Sequence, residues 1–126
     1  IYDDTYDIIS PCALGGTINR NSLKNINCNI IAGAANNQLE NDTDVPEELL
    51  KKNILYIPDF LINAGGIISV YHEQINDIDS KKVMDMTGLI YDKVSSVIKY
   101  SEENSISTNS SAIQLAKDRI KENSKK

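Results

Sequence analysis

The chain has 126 residues, of which 40% are apolar and 25% charged, with a formal net charge of −5 and an acidic pI near 4.8. That length supports one domain around one core. The acidic balance, with no basic patch, argues against a nucleic-acid partner, and no apolar run approaches the roughly 20 residues that cross a bilayer.

Residues 6–10 (YDIIS) read as a short buried strand, rich in isoleucine and ended by Pro11. Residues 17–26 form a turn with a short helix in which Asn21 or Ser22 caps SLKNI. Residues 28–32 (CNIIA) make a second strand. Asp44 is placed to cap a helix over PEELLKK, with Pro46 in its first turn, two glutamates near the positive end of the dipole and Asn53 closing it. Residues 54–57 (ILYI) are a third strand, stopped by Pro58.

The period then changes. Gly65 and Gly66 open a helix that runs to about Gln74. A longer helix covers about residues 80–103, where Val83, Met86, Leu89, Ile90, Val94, Val97 and Ile98 follow the three–four spacing of one buried face. SISTNSS is expected to be a loop, with Ser110 or Ser111 capping a last helix over residues 112–122, and the closing Lys125 and Lys126 a frayed tail. Strands alternating with helical segments imply crossover connections and a parallel sheet. The fold class is therefore α/β: the second half of a Rossmann-like, doubly wound parallel sheet, plus C-terminal helices. Three strands are few for such a sheet, and Ile1 rather than Met begins the chain, so a piece of a longer polypeptide is expected.

Three unusual loops follow the three strands: PCALGG (11–16), GAANNQ (33–38) and PDFLINAGG (58–66). Ligands of open parallel sheets bind along the carboxyl edge of the strands, so these loops should meet at one crevice. Asparagine offers donors and an acceptor on a short neutral side chain. Small residues let a flat ring approach the backbone, and Gly65-Gly66 at a helix start leaves N–H groups free for an oxyanion. Each loop taken alone is ordinary turn chemistry; their coincidence carries the argument. His72, the single histidine, is assigned to the solvated surface, and Asp77, Asp79 and Asp85 to a solvated face. Met84 and Met86 are helix packing or exposure. Cys12 reads as a small neutral strand-end residue. With Cys28 it has no metal-knuckle or CxxC spacing, which suits reduced thiols in a cytoplasmic protein.

PCALGG, GAANNQL, ILYIPDFLINAGG and the late AIQLAKDRI together resemble the amino acid dehydrogenases of the glutamate/leucine/phenylalanine/valine family, the leucine and valine enzymes in particular. The resemblance spans about residues 7–120 and makes the chain, 1–126, the C-terminal part of an NAD-binding domain: strand and helix units to about residue 78, C-terminal helices over about 79–126, and no N-terminal substrate domain. It implies NAD as cofactor, a branched-chain amino acid as substrate, oxidative deamination to a 2-oxo acid and ammonia, and a homo-oligomeric full-length protein. By the same resemblance Cys12, Ala13, Asn36 and Asn63 would face the cofactor, while Asn37, Gly66, Ile67 and Val70 would face the substrate. Ile67 and Val70 favour an aliphatic side chain. The family's catalytic lysines and acid belong to the substrate domain, and the Gly-rich dinucleotide fingerprint to the first half of the cofactor domain. With neither here, the chain is expected to be inactive alone. Ser69, Tyr71 and His72 stand where relatives often carry an amide, a small residue and an acid. The competing reading is a non-catalytic half-domain that binds or supports another chain through its exposed sheet edge.

Overall fold

A computed structural model describes residues 4–77 and 79–124. The chain runs β1 (Thr5–Ile9), β2 (Asn27–Ile31), α1 (Asp44–Lys51), β3 (Leu55–Tyr56), α2 (Asp59–Ile62), α3 (Gly65–Gln74), α4 (Ser80–Asn104) and α5 (Thr108–Asn123). The strands form a parallel sheet in the order β1-β2-β3, with Ile9 opposite Ile31 and Ile31 opposite Tyr56. The α/β class and parallel sheet expected from the strand–helix alternation are present. The tail expected at Lys125 and Lys126 lies outside the described residues.

The crossover between β1 and β2 carries only a 3-10 turn, Ser22–Lys24. Its capping oxygen comes from Asn19, not from Asn21 or Ser22: Asn19 Oδ1 accepts from the N–H groups of Asn21 and Ser22 at 3.0 and 2.9 Å. The α1 start shows the same displacement. Asn41 Oδ1 accepts from the N–H groups of Thr43, Asp44 and Val45, so Asp44 is the first helical residue rather than the cap. The carboxamide two or three residues upstream reaches the orphan donors better than Asp44 can. At its other end, Asn53 adopts φ 55°. Ile54 N–H donates to Leu49 O and Asn53 N–H to Leu50 O, both at 3.0 Å. That is the Schellman pattern, with Asn53 supplying the left-handed residue.

One apolar cluster fills the space under the sheet: Ile18, Leu23, Ile26, Cys28, Ile31, Val45, Leu49, Ile54 and Tyr56, with Ile9 and Leu39 packed against it. β1 departs from its expected burial. Four of its five residues are exposed, Tyr6 and Ile8 at 40% and 58%. Among the described residues it pairs only with β2.

Two helical expectations are corrected. Of the seven apolar residues on α4 expected to face inward, only Val97 is buried, and Met86 and Leu89 are 39% and 52% exposed. This helix touches α2, α3 and α5, and the other four residues of the stripe, Val83, Ile90, Val94 and Ile98, are half-buried. SISTNSS is not a loop. The chain turns at Ser105 (φ 54°) and α5 begins at Thr108, capped by Ser107, whose Oγ accepts from Ser110 N–H. Ser110 and Ser111 lie inside the helix: Ser111 Oγ donates to Ser107 O one turn back, and Thr108 Oγ1 ties the helix start to Tyr56 O of β3.

Candidate functional site

The C-terminal ends of the strands release three loops that lock together. β1 ends at Ile9, and two residues on the carbonyl of Pro11 accepts from Ala35 N–H at 2.9 Å. Gly33 passes so close that a Cβ there would lie 2.1 Å from Pro11 O. Only glycine permits that approach. At Gly15 a Cβ would lie 2.9 Å from the carbonyl oxygens of both Asn36 and Asn37. Gly16 N–H donates to Asn37 O at 2.8 Å, and Ile18 N–H to Gln38 O at 3.0 Å. The third loop joins through a side chain: Asn63 Nδ2 donates to Asn36 Oδ1 at 2.5 Å and lies 3.4 Å from Ala34 O.

The amides of GAANNQ divide the work. Gln38 is fully buried, and its Nε2 donates to Gly33 O at 2.7 Å and Ala35 O at 2.9 Å, stapling the loop across its own neck. Asn37 takes φ 53°, a left-handed conformation that asparagine tolerates. Its backbone is turn chemistry, while its carboxamide is left exposed. Asn36 gives its oxygen to Asn63. The pair thus turns one donor, Asn36 Nδ2, and one acceptor, Asn63 Oδ1, toward other groups.

Asp59 and Phe60 were not singled out from the sequence. Asp59, at the start of α2, is 8% exposed; its carboxylate lies 3.4 Å from Gln38 N and 3.4 Å from Tyr56 Oη. Burial first, and then the Asp59 charge, push the Tyr56 phenol well above its ordinary range. The signal was a strand-end Pro-Asp at the edge where ligands bind. A cleft of about 370 Å³ opens here, lined by Asn36, Asn37, Leu39, Glu40, Asn41, Asp42, Asp59 and Phe60. Glu40, Asp42 and Asp59 make it an acidic cleft. Among the described residues no group of three or more His, Cys, Asp or Glu could hold a metal.

The remaining sequence candidates fall around this edge. Cys12 and Ala13 are exposed on the first loop. The Cys12 thiol is lowered by the backbone N–H of Ala34 and by Ser10, whose Oγ is 3.3 Å away; Cys28 is raised by burial. Gly66, Ile67 and Val70 lie on an exposed face of α3, Ile67 and Val70 at 67% and 46%, and none of the three lines the cleft. His72 overturns its surface assignment. It is 5% exposed, between Asp77 and Met86. Asp79 is also more than solvated, since its carboxylate caps α4 through the N–H groups of Lys81 and Lys82.

Comparison with known proteins gives this edge a context. The family model for glutamate/leucine/phenylalanine/valine dehydrogenase matches residues 1–126. An L-tryptophan dehydrogenase of Nostoc punctiforme is 46% identical over 120 residues, covering 95% of this chain and 34% of the relative. Its crystal structure superposes with a TM-score of 0.94 at 44% identity, covering 100% of this chain and 37% of that one. A leucine dehydrogenase of Thermoactinomyces intermedius is 38% identical over 95% of this chain and 32% of its own length. A phenylalanine dehydrogenase of Bacillus thermotolerans is 37% identical over 100% and 32%. The chain thus spans about a third of the length of the relatives it matches.

Proposed function

The chain belongs to the glutamate/leucine/phenylalanine/valine dehydrogenase family, and from that premise we propose that it is the later part of the NAD-binding domain of an amino acid dehydrogenase acting on an apolar L-amino acid. The observation that carries the reading is the Asn36–Asn63 pair at the carboxyl edge of the sheet. A nicotinamide carboxamide needs one acceptor and one donor, and the pair presents the complementary donor and acceptor with no net charge. The small, exposed backbone of Cys12 and Ala13 beside it suits a ribose or ring edge. The residues present therefore fit NAD, which when bound supplies the hydride acceptor for oxidation at the substrate's α-carbon.

In this reading the chain's own residues orient and do not transfer protons. Asn36 and Asn63 hold the carboxamide. Asn37, whose backbone is clamped by Gly16, offers its carboxamide to the polar end of the amino acid. Hydride transfer needs two centres held a few ångströms apart, and a locked loop supplies that orientation. Gly66, Ile67 and Val70 form the chain's share of the side-chain pocket once the substrate domain faces them. Their apolar character supports leucine or valine. Similarity to a tryptophan dehydrogenase supports an indole-sized alternative, and one methylene in such a pocket discriminates by only about 1–3 kcal/mol. A homo-oligomer in the cytoplasm completes the reading, with the exposed apolar residues of α3 and α4 covered by further protein.

The test uses the full-length parent protein. Amino-acid-dependent reduction of NAD is expected with leucine, valine or tryptophan. Asn37→Ala should lower kcat by about tenfold or more with the KM for NAD within about twofold, the signature of an interaction made in the transition state. Unchanged turnover in Asn37→Ala removes the role given to Asn37. NAD binding without reduction by any amino acid overturns the dehydrogenase reading.

A further inference from the structure

We propose that His72 is a positioning residue that latches α3 to α4 and so sets the placement of Ile67 and Val70, and with it the size of substrate accepted; the specificity clause rests on the functional reading above. α3 is ten residues long and His72 is its one buried residue, against exposures of 67% for Ile67, 46% for Val70 and 50% for the neighbouring Ile75. At about 100° per residue, His72 lies about 200° around the helix from Val70 and about 140° from Ile67. The buried grip and the candidate substrate wall thus occupy opposite faces of one short rod.

The grip is specific. His72 Nε2 is 3.0 Å from Met86 Sδ on α4, and Nδ1 is 3.2 Å from the carbonyl oxygen of Asp77 in the turn between the helices. Both neighbours are acceptors, and a neutral imidazole donates from one nitrogen only. The ring therefore makes one bond as either tautomer and both as the imidazolium. The Asp77 carboxylate stands 3.8 Å from Nδ1, itself held by Lys82 at 2.8 Å. The turn is closed by Asp77 N–H donating to His72 O at 3.0 Å. At the other end α3 rests on α4 through Gly65, where an added Cβ would meet Thr87 Cγ2 at 3.6 Å. Gly65 brings no side chain to that contact, whereas His72 brings a buried ring with two polar contacts.

The test compares His72→Phe, Met86→Leu, their double variant and His72→Gln in the parent protein. Amide hydrogen exchange over residues 65–74 and the ratio of kcat/KM for tryptophan to that for leucine are both read. His72→Phe and Met86→Leu should each speed exchange in α3 and shift the ratio by about fivefold. The double variant should go no further than the larger single effect, and His72→Gln, which keeps a donor, should stay within about twofold of the parent. Unchanged α3 exchange in Met86→Leu, a nearly isosteric change, would overturn the latch. Faster exchange with an unchanged ratio would overturn the specificity role, as would independent, additive effects of the two substitutions. An unsubstituted parent that reduces NAD with no amino acid would overturn the functional reading and the specificity role together, while exchange still decides the latch.

Discussion

Residues 4–63 and residues 64–124 bury different chemistry. The first region encloses an apolar cluster from Ile18 to Tyr56, contributed by strands, α1 and the 3-10 turn. Among its described residues the second buries His72, Ser101, Ser107, Thr108, Asn109 and Ser111 beside only Val97 and Ala112, and leaves Ile67, Tyr71, Met84, Leu89, Tyr91 and Ile120 half or more exposed. The first holds itself together by burial. The second is attached by directed hydrogen bonds, Thr108 Oγ1 to Tyr56 O and Asn109 Nδ2 to Asp42 Oδ1. The difference teaches where cover is still needed: an apolar helix face unsupported by its own fold is a surface for further protein.

Substitutions can break or sharpen that contrast. The largest effect is expected at Gly33→Ala. Its Cβ meets Pro11 backbone at 2.1 Å with nothing flexible to yield, so stability should fall by about 3 kcal/mol or more, read from the urea midpoint. Next comes a matched pair. Leu49→Ala in the buried cluster should cost about 2–5 kcal/mol, whereas Leu89→Ala, 52% exposed, should cost less than about 0.5 kcal/mol unless another surface covers it. A large loss at Leu89 in the parent would thus identify α4 as an interface. Thr108→Val removes the hydroxyl on a buried carbonyl between the regions and should cost about 1–3 kcal/mol. The smallest effect is alkaline. The Tyr56 phenol is raised on folding, so its stabilisation is fully present below its unfolded value of about 10. It is lost as pH rises from there toward the folded value, and Tyr56→Phe should remove that loss in denaturation followed against pH.

Much of the architecture could be read from residue patterns because isoleucine-rich runs ended by proline mark strands, and small-residue loops behind them mark a ligand edge. The Asn36–Asn63 contact joins residues 27 apart, and parallel-sheet logic anticipated that these loops converge. What escaped notice depended on partners far along the chain or on cover the chain does not contain. His72 sits among polar neighbours in YHEQ, which reads as surface, while its sulfur partner lies 14 residues on, across a turn. Apolar spacing on α4 correctly marked a helix, but spacing says nothing about how much of a stripe a neighbour reaches. Serine and threonine before Ala112 signalled a loop by composition. Ser107 instead caps the helix, Ser111 bonds back to its own turn and Thr108 reaches the carbonyl of Tyr56, partners that composition does not encode.

β1 carries a practical consequence. Among the described residues it pairs only with β2, so its outer side offers a ladder of unused N–H and carbonyl groups, flanked by the exposed Tyr6 and Ile8. Such an edge recruits any extended peptide, a second copy included, and Asp4 and Asp7 are the only charges beside it among the described residues. Expressed without a covering strand, this polypeptide should self-associate through β1 as concentration rises. A lysine at Ile8, the most exposed apolar position of the strand, is the simplest change to keep it dispersed for study.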